Sequence, residues 1–152
     1  AEERSPPKVR SRLEDLRIPY SSFAFLKKAE LGDAYVVSLF LTAGMSPDVQ
    51  DKMGWTALML ASINGSTPVV RVLLDRRANV NIKSIHGMTA LIYAAWNGHL
   101  DVVQALLRNG ADVQVKDQDG WNALRYAEDP LVFTDRRNHL AVAQLLRRAG
   151  AR

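Results

Sequence analysis

One interval dominates this chain. Gly54, Gly87 and Gly120 recur at a step of 33 residues, and Leu58, Leu91 and Leu124 keep the same step. So do Ala61, Ala94 and Ala127, then Gly32, Gly65 and Gly98, and on another face Val37, Val70 and Val103. A period of this length, held at many positions at once, describes a stacked array in which each unit is one supersecondary motif. The clearest unit runs from His86 to Val113. Ala90, Leu91, Ala94 and Ala95 share one helical face at steps of three and four, and Leu100, Val103, Leu106 and Leu107 do the same in a second run. Gly98 and Gly110 fall just past the two runs, where a left-handed cap favours glycine.

The interval divides the chain into four units, approximately 20–50, 51–83, 84–116 and 117–152, after a polar tail at 1–19. In the tail, Pro6-Pro7 is expected to block regular helix, and Pro19 to end any short turn built on Leu13 and Leu16. A loosely attached leader and a short helix docked on the first unit both fit. In the first unit, Lys28 stands where later units place Ala61 and Ala94, so that side is expected to face water as a terminal cap. In the second, Gly65-Ser66-Thr67-Pro68 is a good helix start, with a hydroxyl for the free amides and a proline that needs no donor. The fourth unit breaks the period: Asn138-His139-Leu140 stands for Gly98-His99-Leu100, and seven extra residues fall within 128–137. Arg147 replaces Leu107, which again reads as a polar cap, so the array is expected to be complete at four units. A single unit has too few apolar side chains to offset the entropy of ordering it, so neighbours must share faces.

Thr56-Ala57-Leu58-Met59-Leu60-Ala61 and Thr89-Ala90-Leu91-Ile92-Tyr93-Ala94 resemble the Thr-Pro-Leu-His-x-Ala motif of ankyrin repeats. Gly98-His99-Leu100-Asp101-Val102-Val103, then Leu106-Leu107 and Gly110-Ala111-Asp112-Val113, is similar to the rest of that consensus. The resemblance covers roughly residues 20–152. The motif proline is replaced by Ala57, Ala90 and Ala123, and the motif histidine by Met59, Ile92 and Arg125. The resemblance implies an all-α solenoid of helix-turn-helix units with β-turn or hairpin fingers and a concave face. It also implies that the residue after the turn glycine and the end of each first helix vary and line that face. Those places are held by Trp55, Met88 and Trp121 and by Ile63 and Trp96.

Composition excludes several classes. There is no cysteine, hence no disulfide, zinc thiolate or cysteine nucleophile. No apolar run is long enough to span a bilayer, and there is no secretory hydrophobic region. A start at Ala1 without methionine leaves a processed, exported product and a trimmed chain equally open, and the arginine-rich, cysteine-free composition is compatible with a bacterial source. The net charge of +4 is too small to assign a nucleic acid or a membrane surface alone.

Enzyme signatures are missing. His99 and His139 fall at the start of second helices and read as structural capping residues, and His86 sits alone in a turn. No pair of histidines has metal-site spacing, no phosphate-cradling loop or nucleophile elbow is present, and no cofactor is expected. The tryptophans carry more information, since tryptophan is enriched at binding hot spots. Trp55, Ile63, Met88, Trp96 and Trp121 form a candidate partner-binding face, ringed by the turn residues Lys52, Met53, Lys83, Ile85, His86, Lys116, Gln118 and Asp119. Each tryptophan could instead simply cover a neighbouring turn. Lys52, Lys83 and Lys116 lie at near-repeat intervals and form either a basic row or solvated turn lysines. Leu131, Val132 and Phe133 are apolar in a loop, as a second binding site or as a cover for the last unit. The leading expectation is a non-catalytic module, monomeric until it meets a partner protein or peptide. The alternative is a nucleic acid or other polyanion held by the basic residues of the tail, turns and last helix.

Overall fold

The computed structural model describes residues 6–129 and 136–152. Among them are nine helices and no strand: α1 (Pro6–Asp15), α2 (Ser22–Glu30), α3 (Ala34–Thr42), α4 (Ala57–Ile63), α5 (Thr67–Asp75), α6 (Ala90–Trp96), α7 (Leu100–Arg108), α8 (Ala123–Glu128) and α9 (Arg136–Arg148). They stack in two layers. The first helices of the units, α2, α4, α6 and α8, follow one another in one layer, and α1, α3, α5, α7 and α9 in the other. The core lies between the layers, and the periodic residues fill it. Leu58, Leu91 and Leu124 are buried from one side, and Val37, Val70 and Val103 from the other. The expected solenoid of helix pairs is therefore present.

The first helices start alike. Thr56, Thr89 and Asn122 each turn a side-chain oxygen back to accept from the backbone N–H three residues on, Met59, Ile92 and Arg125 respectively. Each bond satisfies one of the amides that a helix start leaves unpaired. The second helices start differently. Ser66 makes no such bond, contrary to expectation, and the start of α5 rests on Pro68, which has no N–H to satisfy.

His99 does not cap its own helix either. Its Nε2 lies 2.9 Å from the carbonyl oxygen of Ile63, and Nε2 of His139 lies 2.9 Å from that of Trp96. Each imidazole thus pairs a carbonyl at the end of the preceding unit's first helix, where no intrahelical donor remains. His139 does so from the fourth position of α9, because that helix begins four residues earlier than the register predicts. The rings also explain two glycines. A Cβ on Gly65 would stand 2.5 Å from His99 Nδ1, and one on Gly98 would stand 2.6 Å from His139 Cε1. Both glycines have positive φ as well, 67° and 69°.

From Pro6 onward the leader is not loose. Pro6-Pro7 opens α1 instead of blocking helix, because the first turn of a helix uses no N–H donor and tolerates the fixed φ of proline. Val9 and Leu13 are buried, and α1 packs on α3. Arg10 adds to the attachment: its guanidinium lies 4.4 Å over the Tyr20 ring, and both side chains bond the carbonyl of Ala43. Lys28, at its register position in the first unit, is half-buried with its ammonium 3.7 Å from Asp33.

Two stability outcomes follow. Leu13→Ala should lower the urea-unfolding free energy by about 2–4 kcal/mol, as for a buried leucine; a loosely attached α1 would give a change near zero. Gly98→Ala should cost at least about 2 kcal/mol more than Gly110→Ala, since both strain φ but only Gly98 meets a ring, as overpacking costs show. Equal losses would remove the ring contact as the cause.

Candidate functional site

Between successive units the chain forms turn fingers. Asp51, Ser84 and Asp117 start them, and the backbone N–H of each donates to the carbonyl of Trp55, Met88 and Trp121 respectively. Neighbouring fingers are joined by Ile85 N–H donating to Met53 O and Gln118 N–H to His86 O, both at 3.1 Å. Gln50 and Gln118 add side-chain bonds from one finger to the next, to Lys83 O and Ile85 O. These contacts hold the fingers together without the motif histidine that Met59, Ile92 and Arg125 replace.

The carboxylates order the tips. Asp51 Oδ1 accepts from the N–H groups of Met53 and Trp55, and Asp117 Oδ1 from those of Asp119 and Trp121. Asp117 has a further task. Its Oδ2 accepts from the hydroxyl of Tyr126, on α8. One unit earlier the same geometry is relaxed: Tyr93 on α6 donates to Ser84 Oγ at 3.3 Å. Two tyrosines at a 33-residue spacing are thereby fixed between first helices and fingers.

The tryptophans pack on these tyrosines. Trp55 lies 4.9 Å from Tyr93, Trp96 lies 5.3 Å from Tyr126, and Trp121 lies 5.1 Å from Tyr126, ring centre to ring centre. The Arg125 guanidinium sits over the Trp121 ring, 4.2 Å from its centre. Trp55 and Trp121 are half-buried, while Trp96 keeps 43% of its surface exposed. The result is a groove of about 450 Å³ with an aromatic floor of Trp55, Tyr93, Trp96 and Tyr126 and a wall that includes Asp117 and Asp119. Burial pushes the Tyr126 hydroxyl pKa well up, and the hydrogen bond and charge of Asp117 push it further in the same direction. Burial raises that of Tyr93 too, against the opposing Ser84 bond.

Of the residues anticipated from sequence, Trp55, Ile63, His86, Met88, Trp96, Gln118 and Asp119 line this groove together. Trp121 borders it through Tyr126. Lys52 lines a separate hollow of about 600 Å³ beside Phe23, Leu26, Lys27 and Glu30. Met53, Lys83, Ile85 and Lys116 are exposed on the fingers and do not line the groove. The three lysines make no single column: Lys83 and Lys116 share a register with Gln50, and Lys52 is two places away. Leu131, Val132 and Phe133 lie outside the described residues. Tyr93, Asn97, Asp117 and Tyr126 were not anticipated. Aligning the first helices would have found both tyrosines, since the column reads Lys27, Leu60, Tyr93, Tyr126.

The family model of ankyrin repeats, in three copies, matches residues 25–117. The chain belongs to the ankyrin-repeat family. Its similarity to named proteins is more limited. It is 38% identical over 77 residues to "Ankyrin repeat, SAM and basic leucine zipper domain-containing protein 1" of Oryctolagus cuniculus, covering 51% of this chain and 16% of that protein. It is 44% identical over 55 residues to the protein of that name from Homo sapiens, covering 36% of this chain and 12% of the relative. The chain thus spans a small part of these relatives' length. No described helix is long and apolar enough to cross a membrane.

The tyrosine hydroxyls give the site an alkaline signature. The folded-state pKa of Tyr126 stands above the ordinary value of 10.0, so the folded chain holds that proton after the unfolded chain has lost it. The stability this contributes is intact below pH 10.0 and falls as pH rises beyond it. The stability difference between the wild type and Tyr126→Phe should therefore shrink between about pH 8 and pH 11 in urea unfolding. A difference that stays constant would show that the hydroxyl proton is not held.

Proposed function

We propose that the chain is a non-catalytic module that receives a segment of another protein on its concave face. Ankyrin repeats are in general protein–protein interaction modules, and the family is typically non-catalytic. The observation that carries the proposal here is Trp96. It presents an exposed indole in a groove whose other rings are already fixed, at a helix position that one unit earlier is Ile63. A side chain this apolar and this exposed is not needed to stack the helices. Trp55, Met88, Trp96 and Trp121 are the proposed apolar contacts, with Lys52, Met53, Lys83, Ile85, His86 and Lys116 as rim. The groove is held before any partner arrives, which lowers the ordering cost of binding. The same proposal takes the chain to be monomeric without its partner.

The polyanion alternative has less support. Asp51 stands beside Lys52, and Asp117 and Asp119 close to Lys116, so two of the three finger lysines have carboxylates beside them and Lys83 alone does not.

A random peptide library displayed against the immobilised chain tests the proposal. Selected peptides should lose at least about tenfold in affinity on Trp96→Ala, the scale of a hot-spot residue. The circular dichroism spectrum should be kept and the melt should stay cooperative with only a modest shift, since Trp96 is 43% exposed and gives up one ring contact, with Tyr126. Peptides that bind the variant as well as the wild type would remove the concave groove as the binding face.

A further inference from the structure

The proposed binding face has a chemical bias that the family alone does not give. The chain carries 20 lysines and arginines against 16 acids, yet among the described residues no lysine or arginine lines the aromatic groove. Asp117 and Asp119 do line it, with His86 as the one other titratable group besides the two tyrosines. The neighbouring hollow is different. It has Lys27 and Lys52 against Glu30 and Asp51, and Lys27 is paired with Glu30 at 2.7 Å. Charge is therefore balanced in one half of the concave face and negative in the other, on a protein that is positive as a whole.

The two carboxylates are set up for different parts. Asp117 is pinned by two backbone N–H groups and the Tyr126 hydroxyl, so its charge stays at the groove wall. Asp119 is exposed at the finger tip. Between them and Trp96 lies an aromatic floor in a space of about 450 Å³. A ring face attracts a cation, and a planar guanidinium both stacks on rings and forks onto a carboxylate. The chain already uses this pairing at the groove's edge, where Arg125 lies over Trp121.

Resting on the module reading above, we propose that the aromatic groove takes an arginine side chain from an extended basic segment of the partner protein. The guanidinium lies against Trp96 and Trp55, its fork reaches Asp119 at the rim, and Asp117 supplies fixed negative charge from the wall.

The test uses the full chain and the peptides selected from the random library. Arginine should be enriched among them. Replacing that arginine by citrulline, its uncharged isostere, should weaken binding at least about tenfold, in line with a desolvated cation–π contact plus a charged hydrogen bond. Asp119→Asn should weaken the arginine peptide at least about fivefold and leave the citrulline peptide unchanged, as expected for a charge-specific contact. Asp119 is exposed, so that variant keeps the fold. Selected peptides that need Trp96 but show no arginine, or bind equally well with citrulline or to Asp119→Asn, would overturn this inference and leave the module reading standing. Enrichment of lysine alone would overturn the guanidinium assignment. Peptides indifferent to Trp96→Ala would overturn both.

Discussion

The contact that joins the later units is an imidazole placed against a carbonyl one unit away, a place taken at the first joint by Asn64, whose Nδ2 donates to Glu30 O. His99 meets the oxygen of Ile63, and His139 meets that of Trp96. A helix leaves its last carbonyls without donors, and in this fold those ends lie between layers. One ring nitrogen satisfies the oxygen and fixes the distance between a second helix and the first helix before it. The ring needs room, and the missing Cβ of Gly65 or Gly98 provides it. Glycine and histidine are thus coupled across units, and neither is intelligible from its own neighbours in sequence.

That contact also reaches the groove. Ile63 and Trp96 are the residues whose carbonyls are held, and both point side chains into the aromatic site. A bond made for stacking therefore fixes the backbone beneath the exposed indole. The fingers do the same from the other side, since Asp117 orders its own turn and holds the Tyr126 hydroxyl on α8. The floor is locked to both walls. Each ring is then in place before binding, and rotamer entropy is not spent a second time on it.

What the sequence made legible was what repeats. The 33-residue step located the helix pairs, their glycine stops and the buried leucines and valines, because those serve the same purpose in every unit. It also pointed to Trp55, Met88, Trp96 and Trp121, since departures from a repeat stand out against it. The failures have a common cause. The histidines were read as caps of their own helices because a partner 36 or 43 residues away leaves no local pattern. Helix α1 buries only Val9 and Leu13, too few for a periodic signal, and its two prolines carry the opposite local preference except at a helix start. Tyr93 and Tyr126 were passed over because a tyrosine in a helix reads as core until its hydroxyl partner is known.

The two layers do not begin together, and this shapes the concave face. Helix α1 covers α3 in the second layer, while α2 begins the first layer with Phe23 79% exposed. The concave face is thus open at its N-terminal end, and its larger hollow of about 600 Å³ lies there. Toward the C-terminal end, tyrosine replaces the Lys27 and Leu60 of the same column, and the space narrows to about 450 Å³. Larger rings fill more of the cleft and leave flat faces rather than a deep hole. The face is shallow and negatively charged at one end, and wider and charge-balanced at the other. The asymmetry arises from substitutions at one column of an otherwise regular array, without any change in how the helices stack.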